Sequence, residues 1–137
     1  AVGERARALG VEEAVLELGA VSDPELRALY EGAECLLFPS LYEGFGLPVL
    51  EAMAMGAPVV ASDRSSIPEV VGDAGALVDP TDADAMAVEV RRLLRDPALR
   101  EERVRRGRER AARFTWEETA ARTADVLWGV ASAGPAT

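Results

Sequence analysis

Short apolar runs alternate with amphipathic stretches along this chain, and the breaks between them predict its elements. Residues 4–9 carry the pattern of a helix tail stopped by Gly10, and Val15 to Leu18 reads as a short strand. Ser22-Asp23-Pro24-Glu25 offers an N-cap with Pro at the first helical position, followed by a helical stripe of Leu26, Leu29 and Tyr30. Cys35 to Phe38 is an unbroken apolar run stopped by Pro39, the pattern of a strand buried on both faces. A loop through Gly46 leads to a helix of about ten residues from Leu47, ended by Gly56. Val59-Val60 reads as another buried strand, Pro68 to Val71 as one helical turn, and Gly75 to Val78 as a last short strand.

The remainder reads as helical. Thr81-Asp82-Ala83-Asp84 is a capping signal for a helix with Met86, Val90, Leu93 and Leu94 on one face, broken at Asp96-Pro97. An Arg- and Glu-rich helix then runs to Arg113, and its interleaved signs mark a solvated face. Thr115-Trp116-Glu117-Glu118 is a capping box for a last helix whose buried stripe is Trp116, Ala120, Ala124 and Leu127. Residues 131–137 read as a flexible tail, leaving 1–130 as one domain. Strands alternating with helices predict an α/β, Rossmann-like parallel sheet of about four short strands, with helices on both faces and a helical C-terminus. Ligands bind such sheets outside the carboxyl ends of the strands, which puts the loops after Leu18, Phe38, Val60 and Val78 on one edge.

Composition then removes several functions. A net charge of −9 argues against general nucleic-acid binding, which needs a basic surface to neutralise phosphates. The chain has no His, so acid–base chemistry falls to carboxylates or to groups outside it. Cys35, the single cysteine, reads as a structural thiol, and its count excludes a disulfide framework or a Cys-rich metal site. No apolar run is long enough to span a bilayer and no signal-peptide pattern opens the chain, so a soluble cytoplasmic protein is expected.

The segment Glu43-Gly44-Phe45-Gly46-Leu47-Pro48-Val49-Leu50-Glu51 follows the second strand on the ligand-binding edge. Gly44 and Gly46 let backbone amides approach a ligand closely, and the helix starting near Leu47 turns unpaired N–H groups and partial positive charge toward the same space. That favours a diphosphate. Glu43 and Glu51 would repel phosphate but accept hydrogen bonds from vicinal hydroxyls, one from a sugar and one from a ribose. Other readings of the same residues are a first-turn Glu favoured by the helix dipole, a plain glycine turn, and a glycosidase acid–base pair.

Phe38-Pro39-Ser40, the Glu43-to-Ala54 run and Gly56-Ala57-Pro58-Val59-Val60-Ala61 resemble the retaining GT-B glycosyltransferases of family GT4. Ser65 to Gly72, Gly75 to Pro80 and Phe114-Thr115-Trp116 extend the resemblance over most of the chain. It implies sugar transfer from a nucleoside-diphosphate-sugar donor with no cofactor and no obligatory metal. Glu43 would contact the donor sugar at the reacting centre, and Gly44, Phe45, Gly46 and Leu47 would offer backbone contacts. Glu51 would hold the ribose hydroxyls, with Val21 and Asp23 near the nucleobase. Ser65 and Ser66 lie on the same edge and read as a polar turn.

The chain also departs from that family. The strand–loop–helix unit carrying the diphosphate-binding Arg and Lys has no counterpart here, and neither does the preceding acceptor-binding half. In the family's strand order, strands between Val15–Leu18 and Cys35–Phe38 would be missing, so the first strand must re-pair or lose its neighbour. The chain alone is therefore expected to be inactive, with the N-terminal acceptor domain of the same protein as its partner. Many relatives use lipid-linked acceptors, so peripheral membrane contact through Arg91 to Arg113 stays open, as do a nucleotide-sugar-binding module without transfer and an epimerase on the same scaffold.

Overall fold

A computed structural model describes residues 2–133 of the chain. Val59-Val60-Ala61-Ser62 contains no charge and becomes the central strand, β2 (Val59–Ser62), with all four residues buried. Its neighbours are β1 (Leu36–Phe38) and β3 (Ala76–Val78), in the order β1-β2-β3. Both pairings are parallel, with Leu36 opposite Val59 and Val60 opposite Ala76. Parallel neighbours need crossover connections. Here α3 (Leu47–Met55) joins β1 to β2, and α4 (Ile67–Val71) joins β2 to β3.

These crossovers supply the core. Val49, Ala52 and Met53 of α3 meet Ile67, Val70 and Val71 of α4 over Val59 and Ala61. Val60 points the opposite way along the pleat and is equally buried, so β2 is covered on both faces. Around this centre stand α1 (Val2–Leu9), α2 (Asp23–Gly32), α5 (Ala83–Arg95), α6 (Pro97–Ala111) and α7 (Trp116–Ala133). Their starts follow local chemistry: Asp82 and Asp96 accept from the N–H groups of Ala85 and Leu99, and Ser22 donates from its N–H and its hydroxyl to the Glu25 carboxylate at the start of α2. Gly10 and Gly56, both with positive φ, end α1 and α3 as expected.

Four expectations are corrected. Val15 to Leu18 is not a strand, so among the described residues the sheet has three strands where about four were expected. Val15 has extended backbone after a 3-10 turn at Glu12–Ala14, but no described strand lies beside it, and Leu16 is 80% exposed. An apolar extended run becomes a strand only where a neighbour completes its hydrogen bonds. Cys35–Phe38 was expected to be buried on both faces; β1 starts at Leu36, and its edge position leaves Leu37 exposed and Leu36 and Phe38 half-buried.

The stripe on α7 is the third. Trp116, Ala120, Ala124 and Leu127 are all exposed, Trp116 by 84%, because no described element covers that helix. Residues 134–137 of the expected tail lie outside the described residues.

The fourth is α6, which is more than a solvated face. Arg103 donates to the carbonyls of Asp73 and Gly75, Arg110 donates to those of Glu69 and Val70, and Gly107 is buried against Met53. Arg105, paired with Glu102 and Glu109, does fit the solvated pattern.

Candidate functional site

The site begins where β1 stops. Pro39 ends the strand, and the chain loops through Ser40 to Gly46 before α3 starts. Glu43 is half-buried in this loop, and Ser40 Oγ lies 2.9 Å from its Oε1. The same hydroxyl is 3.2 Å from the Tyr42 carbonyl, but its one proton serves the closer carboxylate.

Gly46 is the N-cap of α3, with φ 102 and ψ 43. A Cβ there would stand 2.5 Å from Ile67 Cδ1, so this glycine is required by its backbone and by α4 together. Gly44 differs, with nothing within 4 Å of its notional Cβ. That space is open to an approaching ligand. The cap of α3 makes no side-chain hydrogen bond, and its first turn carries no acidic residue. Among the described residues, no hydrogen bond uses the N–H groups of Gly44, Phe45, Gly46 or Leu47. Consecutive free donors at a helix start attract anions.

Glu51 lies about one turn into α3 and is exposed. Tyr30 of α2 reaches it, its hydroxyl donating to Oε2 at 3.4 Å. Burial, and then the Glu51 charge, push the Tyr30 phenol above its ordinary value of 10.0. A raised phenol favours the folded state below the unfolded value, and that contribution is lost as pH climbs toward the folded one. Tyr30→Phe is therefore expected to flatten the fall in stability above about pH 10, read from denaturant midpoints across the alkaline range. An unchanged alkaline limb would remove the burial account of this phenol.

The structure gathers Glu43 to Glu51 around one helix end, and Val21 and Asp23 belong to the start of α2. Val21 is half-buried, Asp23 is exposed, and no hydrogen bond or ion pair joins either to the segment among the described residues. The capping of α2 is done by Ser22 and Glu25, so the Asp23 carboxylate is not needed for it.

Ser65 and Ser66, read from the sequence as a polar turn, also support the loop. Ser65 Oγ donates to the Glu43 carbonyl at 2.7 Å and lies 3.3 Å from the Glu43 N–H, which donates to it. Ser66 Oγ lies 2.9 Å from the Phe45 carbonyl and 3.1 Å from that of Glu43. Their position after β2 on the binding edge was the available signal. Nearby, Arg64 bridges to Asp79, whose carboxyl is lowered to about 2, first by the Thr81 hydroxyl and N–H and then by Arg64.

Gly44, Phe45 and Ser66 also form one wall of a groove of about 780 Å³. Phe114, Thr115 and Arg122 are on its other side. The Phe45 and Phe114 rings meet edge to face at 5.9 Å, and Arg110 lies 5.2 Å above Phe114. A groove of about 600 Å³ between α5 and α6 contains none of the Glu43–Glu51 residues. Among the described residues no group of three His, Cys, Asp or Glu converges as a metal site. Cys35 is half-buried, and burial followed by the Glu34 charge pushes its thiol above the ordinary value. No described helix is long and apolar enough to cross a membrane.

A parallel sheet whose first crossover helix opens with free amides between two glutamates is an α/β arrangement of the kind that receives ligands at its strand ends. Residues 2–110 match the family described as Glycosyl transferases group 1, and the chain belongs to it. It is 48% identical over 106 residues to the O-antigen chain mannosyltransferase B of Escherichia coli, covering 77% of this chain and 28% of that protein. It is 44% identical over 122 residues to an MMP alpha-(1->4)-mannosyltransferase of Mycolicibacterium hassiacum, covering 86% and 30%. The solved sucrose-phosphate synthase of Thermosynechococcus elongatus superposes with a TM-score of 0.84 at 32% identity, covering 97% of this chain and 34% of that one. The chain thus spans about a third or less of each relative's length.

Proposed function

We propose that this chain is the donor-binding part of a retaining glycosyltransferase, taking a nucleoside-diphosphate sugar at the start of α3. The observation that carries the reading is the row of free amides from Gly44 to Leu47, set between Glu43 and Glu51. The diphosphate would lie over these donors, where the helix end favours negative charge. Glu51 would accept hydrogen bonds from the ribose hydroxyls, oriented by Tyr30. Glu43, braced by Ser40, would face the donor sugar at the reacting carbon. Val21 and Asp23 would flank the base, a placement resting on family resemblance alone.

Acceptor binding belongs, on this reading, to the part of the relatives' length that this chain does not match. The exposed face of α7 suits a neighbouring domain better than open water. A cytoplasmic setting agrees with a nucleotide-sugar donor and with the unpaired Cys35. Any membrane contact would come through the acceptor.

Calorimetric titration of UDP, GDP and ADP into the chain tests the site and reads its base preference. Glu51→Ala is expected to weaken the preferred nucleotide by roughly 1–3 kcal/mol, about 5- to 150-fold, through lost ribose contacts. Undiminished affinity in Glu51→Ala would remove the ribose role, and no binding of any of the three would remove the site.

A further inference from the structure

The loop between β2 and α4 contains a strained residue and a diverted cap, and both act on the same neighbour. Ser65 has φ 58, and it is the non-glycine residue with positive φ among the described residues. Glycine would hold that conformation without strain, so a side chain there calls for a reason. Its hydroxyl supplies one. It accepts from the Glu43 N–H and donates to the Glu43 carbonyl, gripping both backbone groups of one residue.

Ser66 is the N-cap of α4, where a serine hydroxyl ordinarily accepts from an N–H of the first turn. In this helix no side-chain cap bond forms. The hydroxyl turns outward and donates to the Phe45 carbonyl instead. One proton per hydroxyl suffices for the whole arrangement, with that of Ser65 on Glu43 and that of Ser66 on Phe45.

With the carbonyls on either side of Gly44 held, the peptide planes between them have little freedom to turn. We infer that Ser65 and Ser66 form a clamp that sets the direction of the Gly44–Leu47 amides and the stance of Glu43 before any donor arrives. They are positioning residues, since they act through the loop and not on the ligand. The functional half of this inference rests on the donor-site reading, whereas the clamp itself does not.

Backbone ¹⁵N relaxation on the ligand-free chain separates the two. Wild type is expected to show order parameters at Gly44 and Phe45 near the rigid value of about 0.85, and Ser65→Gly and Ser66→Ala should drop them below about 0.6. Ser66→Thr, which keeps the hydroxyl, should restore them. Ser65→Gly should melt no lower than wild type, because it relieves the strained φ while loosening the loop. A residue that served only stability would move both readings together. Unchanged order parameters in Ser65→Gly and Ser66→Ala, or equal loosening in Ser66→Thr and Ser66→Ala, would overturn the clamp.

The same variants titrated with UDP, GDP and ADP test its purpose. About tenfold weaker nucleotide binding in Ser65→Gly and Ser66→Ala is the expected result. Full affinity on a loosened loop would overturn the positioning role. A wild-type chain that binds none of the three overturns the donor site, and the relaxation data then decide the clamp alone.

Discussion

Gly46→Ala should lower the stability of the chain by about 2–6 kcal/mol and abolish measurable nucleotide binding with it. Two costs add at this position. An alanine held at φ 102 adopts a conformation that L residues rarely occupy, at about 1–3 kcal/mol. Its methyl would also stand 2.5 Å from Ile67 Cδ1, and Ile67 is fully buried in the α3–α4 core with little room to yield. Overpacking of that kind adds about 1–3 kcal/mol. Relief by rotating the loop would misdirect the amides of Phe45 and Leu47, so binding is lost by either route. Thermal or urea unfolding of the variant beside wild type measures the first effect, and calorimetry the second. A variant with wild-type stability would mean that the left-handed cap and the Ile67 contact are not features of the folded chain.

Glu43→Ala carries the largest expected effect on chemistry. In a transferase that contains this domain, turnover should fall by about 10²-fold or more while nucleoside-diphosphate affinity changes little. The distinction follows from placement. Glu43 precedes the free amides in the chain and is tied to Ser40, whereas Glu51 follows them and meets Tyr30. A group that meets only the sugar leaves the nucleotide's own contacts intact, so its loss appears in kcat. Equal losses in turnover and nucleotide affinity would place Glu43 at the nucleotide end and invert the proposed orientation of the donor.

Local chemistry made much of this structure legible. The Ser22 N-cap, the Asp82 cap, the Asp96-Pro97 break and the Gly10 and Gly56 stops define helix ends within a few residues, and their partners all lie nearby in the chain. The Glu43-to-Glu51 segment was legible for the same reason: a glycine-flanked helix start is a local event. What stayed hidden depends on distant neighbours. Val15–Leu18 has the composition of a strand, but composition does not say whether a strand lies beside it. The stripe on α7 marks a face suited to burial without saying that anything covers it. Ser65 and Ser66 bond to residues 21 to 23 positions away, so a local reading sees a polar turn where the fold makes a brace. The α6 arginines mislead similarly, since Arg103 and Arg110 look like solvated charges until the carbonyls of Gly75 and Val70 are brought under them.

Sheet growth is polarised by the two outer strands. At β3, Arg103 already occupies the Gly75 carbonyl at the strand's entrance, and a cation beside an edge discourages another strand from docking. At β1, Leu36-Leu37-Phe38 carries no charge and, among the described residues, pairs only with β2. Any strand added from elsewhere in a longer protein would therefore enter beside β1, on the flank from which the chain runs on to Glu43. The loop from Ser40 to Gly46 would then follow an interior strand in place of an edge one.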